Sequence, residues 1–294
     1  MNTEIYRFKV GTFECIAVSD GTHTYAPPTF PPPAMFLFAS APKKRLERAL
    51  REHNIQPEHW GEWTSSYTCL IVRTDKHRVL VDTGAGSLAP TTGRLTKNLR
   101  TAGIAPEDIE MVIITHCHPD HIGGITLDEN KLAFPNARYA IWQDEWDFWT
   151  SNEAEEKLDE HVREALLGAV RKNLPPIKDR LDLIEREREI LPGIQAISAS
   201  GHTLGHMALA ISSSGEKLFY FSDTVLHPIH IKQPEWSAAV DFAPDQVTVS
   251  RRYIFNKAAA EEALVHAFHF PFPGLGHIVQ KGEGWDWQPI ATTG

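Results

Sequence analysis

The chain opens on alternation. Tyr6, Phe8 and Val10, then Phe13, Cys15 and Ala17, are apolar at every second position on either side of Gly11. A period of two predicts two short antiparallel strands over residues 4–19. The pattern then breaks. Pro27, Pro28, Pro31, Pro32, Pro33 and Pro42 surround Phe30, Met35, Phe36 and Phe38. Proline fixes φ and removes a backbone donor, so residues 26–42 read as an extended arm, neither helix nor central strand. The arm is either a strap packed on the core, or a lip over a pocket or a dimer arm.

Beyond the arm, residues 43–54 read as a helix. Residues 65–73 and 77–82 read as a hairpin of buried strands that runs into Thr83-Gly84-Ala85-Gly86. A short helix follows at 92–102. The apolar strand MVIIT at 111–115 stops at a polar cluster. From 151 to 174, Leu158, Val162, Leu166 and Val170 recur at every fourth position, which predicts one face of an amphipathic helix closed by Pro175-Pro176. Three short strands follow at 195–200, 207–212 and 217–222. A helix near 249–263 leads to a strand at 264–270. There is no internal repeat and no low-complexity linker. A single domain over residues 1–294 is expected, with two packed sheets and outer helices.

Composition narrows the function. The net charge of −9 gives no broad basic face for a polyanion, so no nucleic-acid partner is expected. No run of 18 apolar residues suggests a membrane span. The first residues, MNTEIYRFKVGTFE, lack the basic-then-apolar pattern of a signal peptide. Cys15, Cys69 and Cys117 are an odd count with no paired spacing, which fits a reduced, cytoplasmic setting. Histidine is plentiful, at 15 residues.

Several histidines are concentrated. MVIIT leads into His116-Cys117-His118-Pro119-Asp120-His121 and then Ile122-Gly123-Gly124. Side chains at alternate positions past a strand end point the same way. His116 and His118 can therefore hold one metal, while Asp120 and His121 turn toward a neighbouring position. Imidazole with carboxylate suits zinc or a similar transition ion. Cys117, between two ligands, should point away as a buried bystander. Further polar residues stand at strand ends: His202 and His206 in GHTLGH, Asp223 in SDT, and His277 in GLGHI.

Taken together, VDTGAG at 81–86, THCHPDHIGG at 115–124, GHTLGH at 201–206, SDT at 222–224 and GLGHI at 274–278 resemble the metallo-β-lactamase superfamily of binuclear metal hydrolases. The resemblance implies an α/β (α+β) fold, a four-layer αββα sandwich with metals at one edge of the sheets. It implies that His116, His118 and His202 hold one metal, that Asp120, His121 and His277 hold a second, and that Asp223 bridges both. A hydroxide between the metals would be the nucleophile. Asp82 would orient a ligand and His206 would support its loop. Two divalent ions are implied, zinc first, with Mn, Fe or Co as alternatives. Set against two carboxylates and a hydroxide, they leave net positive charge to stabilise an oxyanion.

The bridging Asp223 disfavours a penicillin-type substrate, because β-lactamases of this fold do not usually carry that acid. What remains is a small, fairly apolar lactone or ester. The alternatives are a phosphotriester or phosphodiester at the same site, or a ligand sensor without turnover. Many acyl-homoserine lactonases carry a Tyr three residues after the bridging Asp, where this chain has Leu226. His227 is the nearest polar replacement, and Asp120, His227 and His269 are the candidate catalytic residues. Phe36, Phe38, Trp236, Phe270 and Phe272 are candidates to wall an apolar pocket. Trp142, Trp146 and Trp149 are expected to pack one helix face. A homodimer through the proline-rich arm is the expected assembly.

Overall fold

The structure, a computed structural model, describes residues 4–127 and 131–291. The opening alternation folds as β1 (Ile5–Val10) and β2 (Phe13–Tyr25), paired antiparallel around Gly11. β2 runs six residues past the predicted end. The proline-rich arm contains a helical turn, α1 (Pro33–Leu37), where an extended arm was expected. Pro33 sits in its first turn, where the missing N–H would have no partner in any case. α2 (Lys43–Glu52) follows, then β3 (Trp63–Arg73), β4 (Arg78–Val81), α3 (Leu95–Thr101), β5 (Met111–Ile114) and α4 (Pro119–Ile122).

Next come β6 (Arg138–Trp142), α5 (Gln143–Thr150), α6 (Asn152–Lys157) and α7 (Glu160–Asn173). The single helix expected over 151–174 is thus broken. Leu158 is extended, with φ −75° and ψ 139°, and ends α6. Val162, assigned to the apolar face, is 45% exposed, and Leu167, Val170 and Leu174 form the buried stripe. The remaining elements are β7 (Leu181–Ile184), β8 (Glu189–Leu191), β9 (Ile194–Ser198), β10 (Met207–Ser213), β11 (Glu216–Tyr220), α8 (Ile229–Lys232), α9 (Pro244–Ala260), β12 (Leu264–His266), β13 (Leu275–Lys281) and β14 (Gly284–Pro289).

The strands form two seven-stranded sheets, ordered β1 to β7 and β14 to β8. β4 through β7 run parallel in the first sheet, and β11–β12 is a parallel pair in the second. Period-two alternation separates the layers. In β10 and β11, Leu209, Ile211, Leu218 and Tyr220 face a core shared with Ile71, Leu80, Val112 and Ile141 of the first sheet. Their neighbours Ala208, Ala210 and Phe219 face outward, onto Ile254, Phe255 and Ala258 of α9. Leu95 and Leu99 of α3, with Leu167 and Val170 of α7, join the core of the first sheet. The result is the expected four-layer αββα sandwich. Each fully buried Leu or Ile in it contributes about 1.5–3 kcal/mol.

A third apolar cluster stands apart. Phe36, Leu37 and Phe38 of the arm pack with Trp63, Leu226, Ile229 and Trp236. The arm packs along residues 225–238. Among the described residues no helix is long and apolar enough to cross a membrane.

Candidate metal centre

Strand register brings the polar residues together. β5 ends at Ile114, and Thr115 then leads into the histidine cluster, with Pro119 opening α4. The second sheet reaches the same place through β11 and β12. Tyr220 is paired with His266 in that parallel ladder. Asp223 follows Tyr220 by three residues and His269 follows His266 by three, so both emerge side by side. His269 Nε2 lies 2.9 Å from Asp223 Oδ2. Met207 N–H, next to His206, donates to Thr115 O at 3.0 Å and joins the two sheets here.

Two groups of ligand atoms result, each with all its atoms within 4.8 Å of one another. One is His116, His118, His202 and Asp223; the other is Asp120, His121, Asp223 and His269. All seven residues are buried. Asp223 belongs to both. Its Oδ2 lies 3.3 Å from His202 Nε2 and 3.7 Å from His116 Nε2, while Oδ1 lies 3.1 Å from His121 Nε2. Asp120 Oδ2 lies 3.5 Å from His269 Nε2 and 3.8 Å from His121 Nε2. His118 Nδ1 and His202 Nε2 are 3.0 Å apart. His116 Nε2, His121 Nε2 and Asp223 Oδ1 are buried without a hydrogen bond. Buried polar atoms are rarely left so, and three converging on one space fit a cation. The donor set of imidazoles and carboxylates suits zinc or a similar ion.

A second ring of residues aims these ligands. Asp82 is fully buried at the end of β4, in the left-handed region at φ 58°. It accepts from Thr115 N–H at 2.9 Å, from the Tyr220 hydroxyl at 2.9 Å and from His121 Nδ1 at 2.9 Å. His202 Nδ1 donates to Asp241 Oδ1 at 2.8 Å. Ser65 Oγ donates to Ser66 O and takes the Nδ1 proton of His269 at 2.8 Å. Each bond puts the proton on Nδ1 and leaves the Nε2 lone pair facing the centre. His206 is spent differently: Nδ1 donates to Ala199 O and Nε2 accepts the Asp223 N–H at 3.1 Å. It fixes the backbone of the shared acid. Asp82→Asn places an amide donor among donors. It is expected to weaken metal affinity about 10–100-fold, read by competition with a chelating dye. Wild-type affinity in that variant would remove the orienting role.

Burial, reinforced by neighbouring imidazoles, holds His116 and His118 well below the usual imidazole range. Burial also lowers His121 and His202, but carboxylates outweigh it. Asp223 and Asp82 raise His121 well above its ordinary value, and hydrogen bonds to Asp223 and Asp241 bring His202 up to about 9. Burial would raise Asp223, yet His269, His121 and His116 hold it well below the carboxylate range. The site favours positive charge, which a divalent cation held by these residues would supply in place of protons.

Three expectations need correction. His277 joins neither group. It is exposed within β13, opposite Leu264 and Gln288, and its Nδ1 donates to Ala263 O at 3.1 Å. His269 stands in its place. The expected strand over 264–270 ends at His266, which frees His269 to turn inward. His227, the expected stand-in for the missing Tyr, also lies outside both groups. Its Nδ1 accepts the Ile229 N–H at the start of α8, and its ring packs against Phe38, Trp60 and His53. Burial drives it to about 3, so it is neutral and poorly placed to supply a proton. Finally, the three tryptophans do not share a helix face: Trp142 ends β6, while Trp146 and Trp149 lie in α5.

Cys117 is a bystander as expected, fully buried with its thiol pushed well up by burial. Phe270 packs in the outer core beneath α9 and does not wall a pocket. An aromatic cluster from the arm and β2–β3 lies beside His269. Tyr25 packs on Phe30 at 4.7 Å and Phe36 at 5.0 Å, and stacks on Trp63 at 5.1 Å. Trp63 in turn lies 6.1 Å from the His269 ring. The hydroxyls of Tyr25 and Tyr67 meet at 2.6 Å, and the Tyr67 ring is 5.6 Å from His269. Tyr25, Tyr67, Ser65, Glu145 and Asp241 went unread in the sequence, since each is a single polar or aromatic residue outside the histidine-bearing motifs.

The profile described as Metallo-beta-lactamase superfamily matches residues 63–279. An N-acyl homoserine lactonase from Bacillus sp. is 28% identical over 165 residues, covering 49% of this chain and 58% of the relative. The chain thus aligns with little more than half of that protein's length. Two solved structures align over 99% of both chains. One, titled as AidC, a dizinc quorum-quenching lactonase in complex with a product, has a TM-score of 0.87 at 28% identity. The other, hydrolase AbOPH in the beta lactamase superfamily, has a TM-score of 0.86 at 26% identity.

Proposed function

The chain belongs to the metallo-beta-lactamase superfamily, and we propose on that premise that it is a hydrolase with two divalent ions, zinc first, that opens a small apolar lactone or ester. One observation carries the reading: two buried groups of ligands share the carboxylate of Asp223. Two divalent ions at such a site supply acidified water at neutral pH and a Lewis acid for the scissile carbonyl. The protein's own residues do the rest. Asp223 holds the two groups at a fixed separation. Asp82, Asp241 and Ser65 keep Nε2 of His121, His202 and His269 turned inward. Asp120 has the most open carboxylate of the cluster, its side chain 12% exposed against 4% for Asp223. It is the group placed to take the proton released by the attacking water and pass it to a leaving alkoxide.

The substrate class rests on the wall and the neighbours. Tyr25, Phe30, Phe36 and Trp63 form an aromatic surface beside His269 that suits an acyl or aryl group. The N-acyl homoserine lactonase and the dizinc lactonase resemble this chain in the same direction. A nucleic-acid substrate finds no support in the net charge of −9.

A panel of lactones, aryl esters and phosphotriesters, assayed after Zn, Mn or Co reconstitution, tests the reading. Lactones with apolar acyl chains are expected to give the highest kcat/KM. Trp63→Ala is expected to raise KM for them about tenfold, the loss of an aromatic contact. No turnover on the panel, with metal bound, would instead favour a sensor.

A further inference from the structure

Glu145 lies in α5, fully buried, and belongs to neither ligand group. Its Oε1 accepts from the Cys117 N–H at 2.8 Å and from the Trp149 indole N–H at 2.7 Å. Its Oε2 accepts from the Thr203 hydroxyl at 2.7 Å and from the Gly205 N–H at 3.0 Å. Four donors occupy the lone-pair sites of one carboxylate. Cys117 stands between His116 and His118, and Thr203 directly follows His202. The three histidines of one ligand group therefore hang from two loops that meet on a single side chain.

The packing around it is close. A Cβ on Gly205 would stand 2.3 Å from Glu145 N and 2.6 Å from Glu145 Cβ, so the His202 loop rests on the α5 backbone itself. Trp149 extends the contact: its ring lies 5.8 Å from that of His118. The other group is held by different means. Asp120 and His121 ride on α4, with His121 aimed by Asp82, and His269 is held by Ser65.

We propose that Glu145 is a positioning residue for one of the two metal sites, setting the spacing of His116 and His118 against His202. The inference rests on the metal reading above and goes beyond it by making the two sites separable. Glutamine at this position turns an NH₂ toward one of the two donor pairs, so the loops part. The ion between His116, His118 and His202 then weakens, while the ion between Asp120, His121 and His269 keeps its protein support.

The test is a zinc titration of the metal-free full chain, with no substrate present. Wild type is expected to take up two equivalents. Glu145→Gln is expected to keep one at wild-type affinity and to hold the other about 10–100-fold more weakly. Thr203→Val leaves the carboxylate in place and removes one donor. It is expected to show the same one-site loss at smaller size, and it decides the question if the glutamine variant does not fold. Two undiminished equivalents, or equal weakening of both, would overturn the proposal. If the wild-type chain itself binds no zinc, the metal reading fails and this inference with it, a result distinct from either.

Discussion

Asp223→Ala is expected to leave less than about a thousandth of wild-type kcat/KM and no more than one tightly held ion per chain. Three factors of ten correspond to about 4 kcal/mol of transition-state stabilisation, within what two ions contribute at a reacting carbonyl. The size follows from position. Asp223 is the one residue common to both ligand groups, with Oδ2 near His116, His202 and His269 and Oδ1 near His121. Its removal leaves buried imidazoles facing one another without the charge that draws a cation between them. The measurement pairs steady-state kinetics on the best substrate of the panel with metal counting after dialysis. Full activity with two ions retained would contradict the shared role.

The second large effect separates two histidines. His269→Ala is expected to lose the ion shared with Asp120 and His121, and at least about a hundredfold in kcat/KM, the scale seen when one stabilising group is removed. His277→Ala is expected to leave both ions in place and activity within about twofold of wild type. His277 is an exposed member of β13, while His269 Nε2 touches Asp223 at 2.9 Å. The two variants together decide which histidine completes the second group, and the reverse result would restore the ligand set implied by motif resemblance alone.

That exchange shows where the sequence stops. His116, His118, Asp120 and His121 were legible because they are consecutive, and a strand that ends in a polar cluster needs no partner to be seen. His202 and Asp223 were legible because they stand at the ends of predicted strands. His269 was read as a catalytic candidate, but its place among the ligands was hidden by the strand expected through residue 270, which made it an interior residue. The parallel pairing of β11 with β12 decides the matter, and a contact 46 residues apart in the chain leaves no local pattern.

The fold was read on the same terms. The two sheets and outer helices follow from alternation and from apolar runs. β6, β7, β8, β13 and β14 went unread, being three to seven residues long and lacking a clear alternating stretch. The break at Leu158 is invisible to a four-residue spacing, because the spacing continues through a residue whose backbone is extended. Glu145 and Asp241 were hidden for a further reason. A lone acid in a helix or loop reads as solvated, and only burial with its donors in place assigns it otherwise.

The three-residue spacing from Tyr220 to Asp223 and from His266 to His269 has an outcome for change over time. Ligands indexed to paired strand ends tolerate no insertion between strand and ligand, since one added residue in either connection would turn that ligand away from its partner. The arm, which supplies Phe30 and Phe36 to the aromatic surface beside His269, carries no such index. Residues 26–42 and 225–241 lie outside both sheets; Phe36 of the arm packs on Tyr25 and Trp63, and Asp241 accepts from His202. Apart from Asp241, which holds His202, their length and composition can drift while the ligand side chains stay where they are. On the proposed function, the arm's share of the aromatic surface can thus be rewritten without reopening the ligand-bearing strand ends.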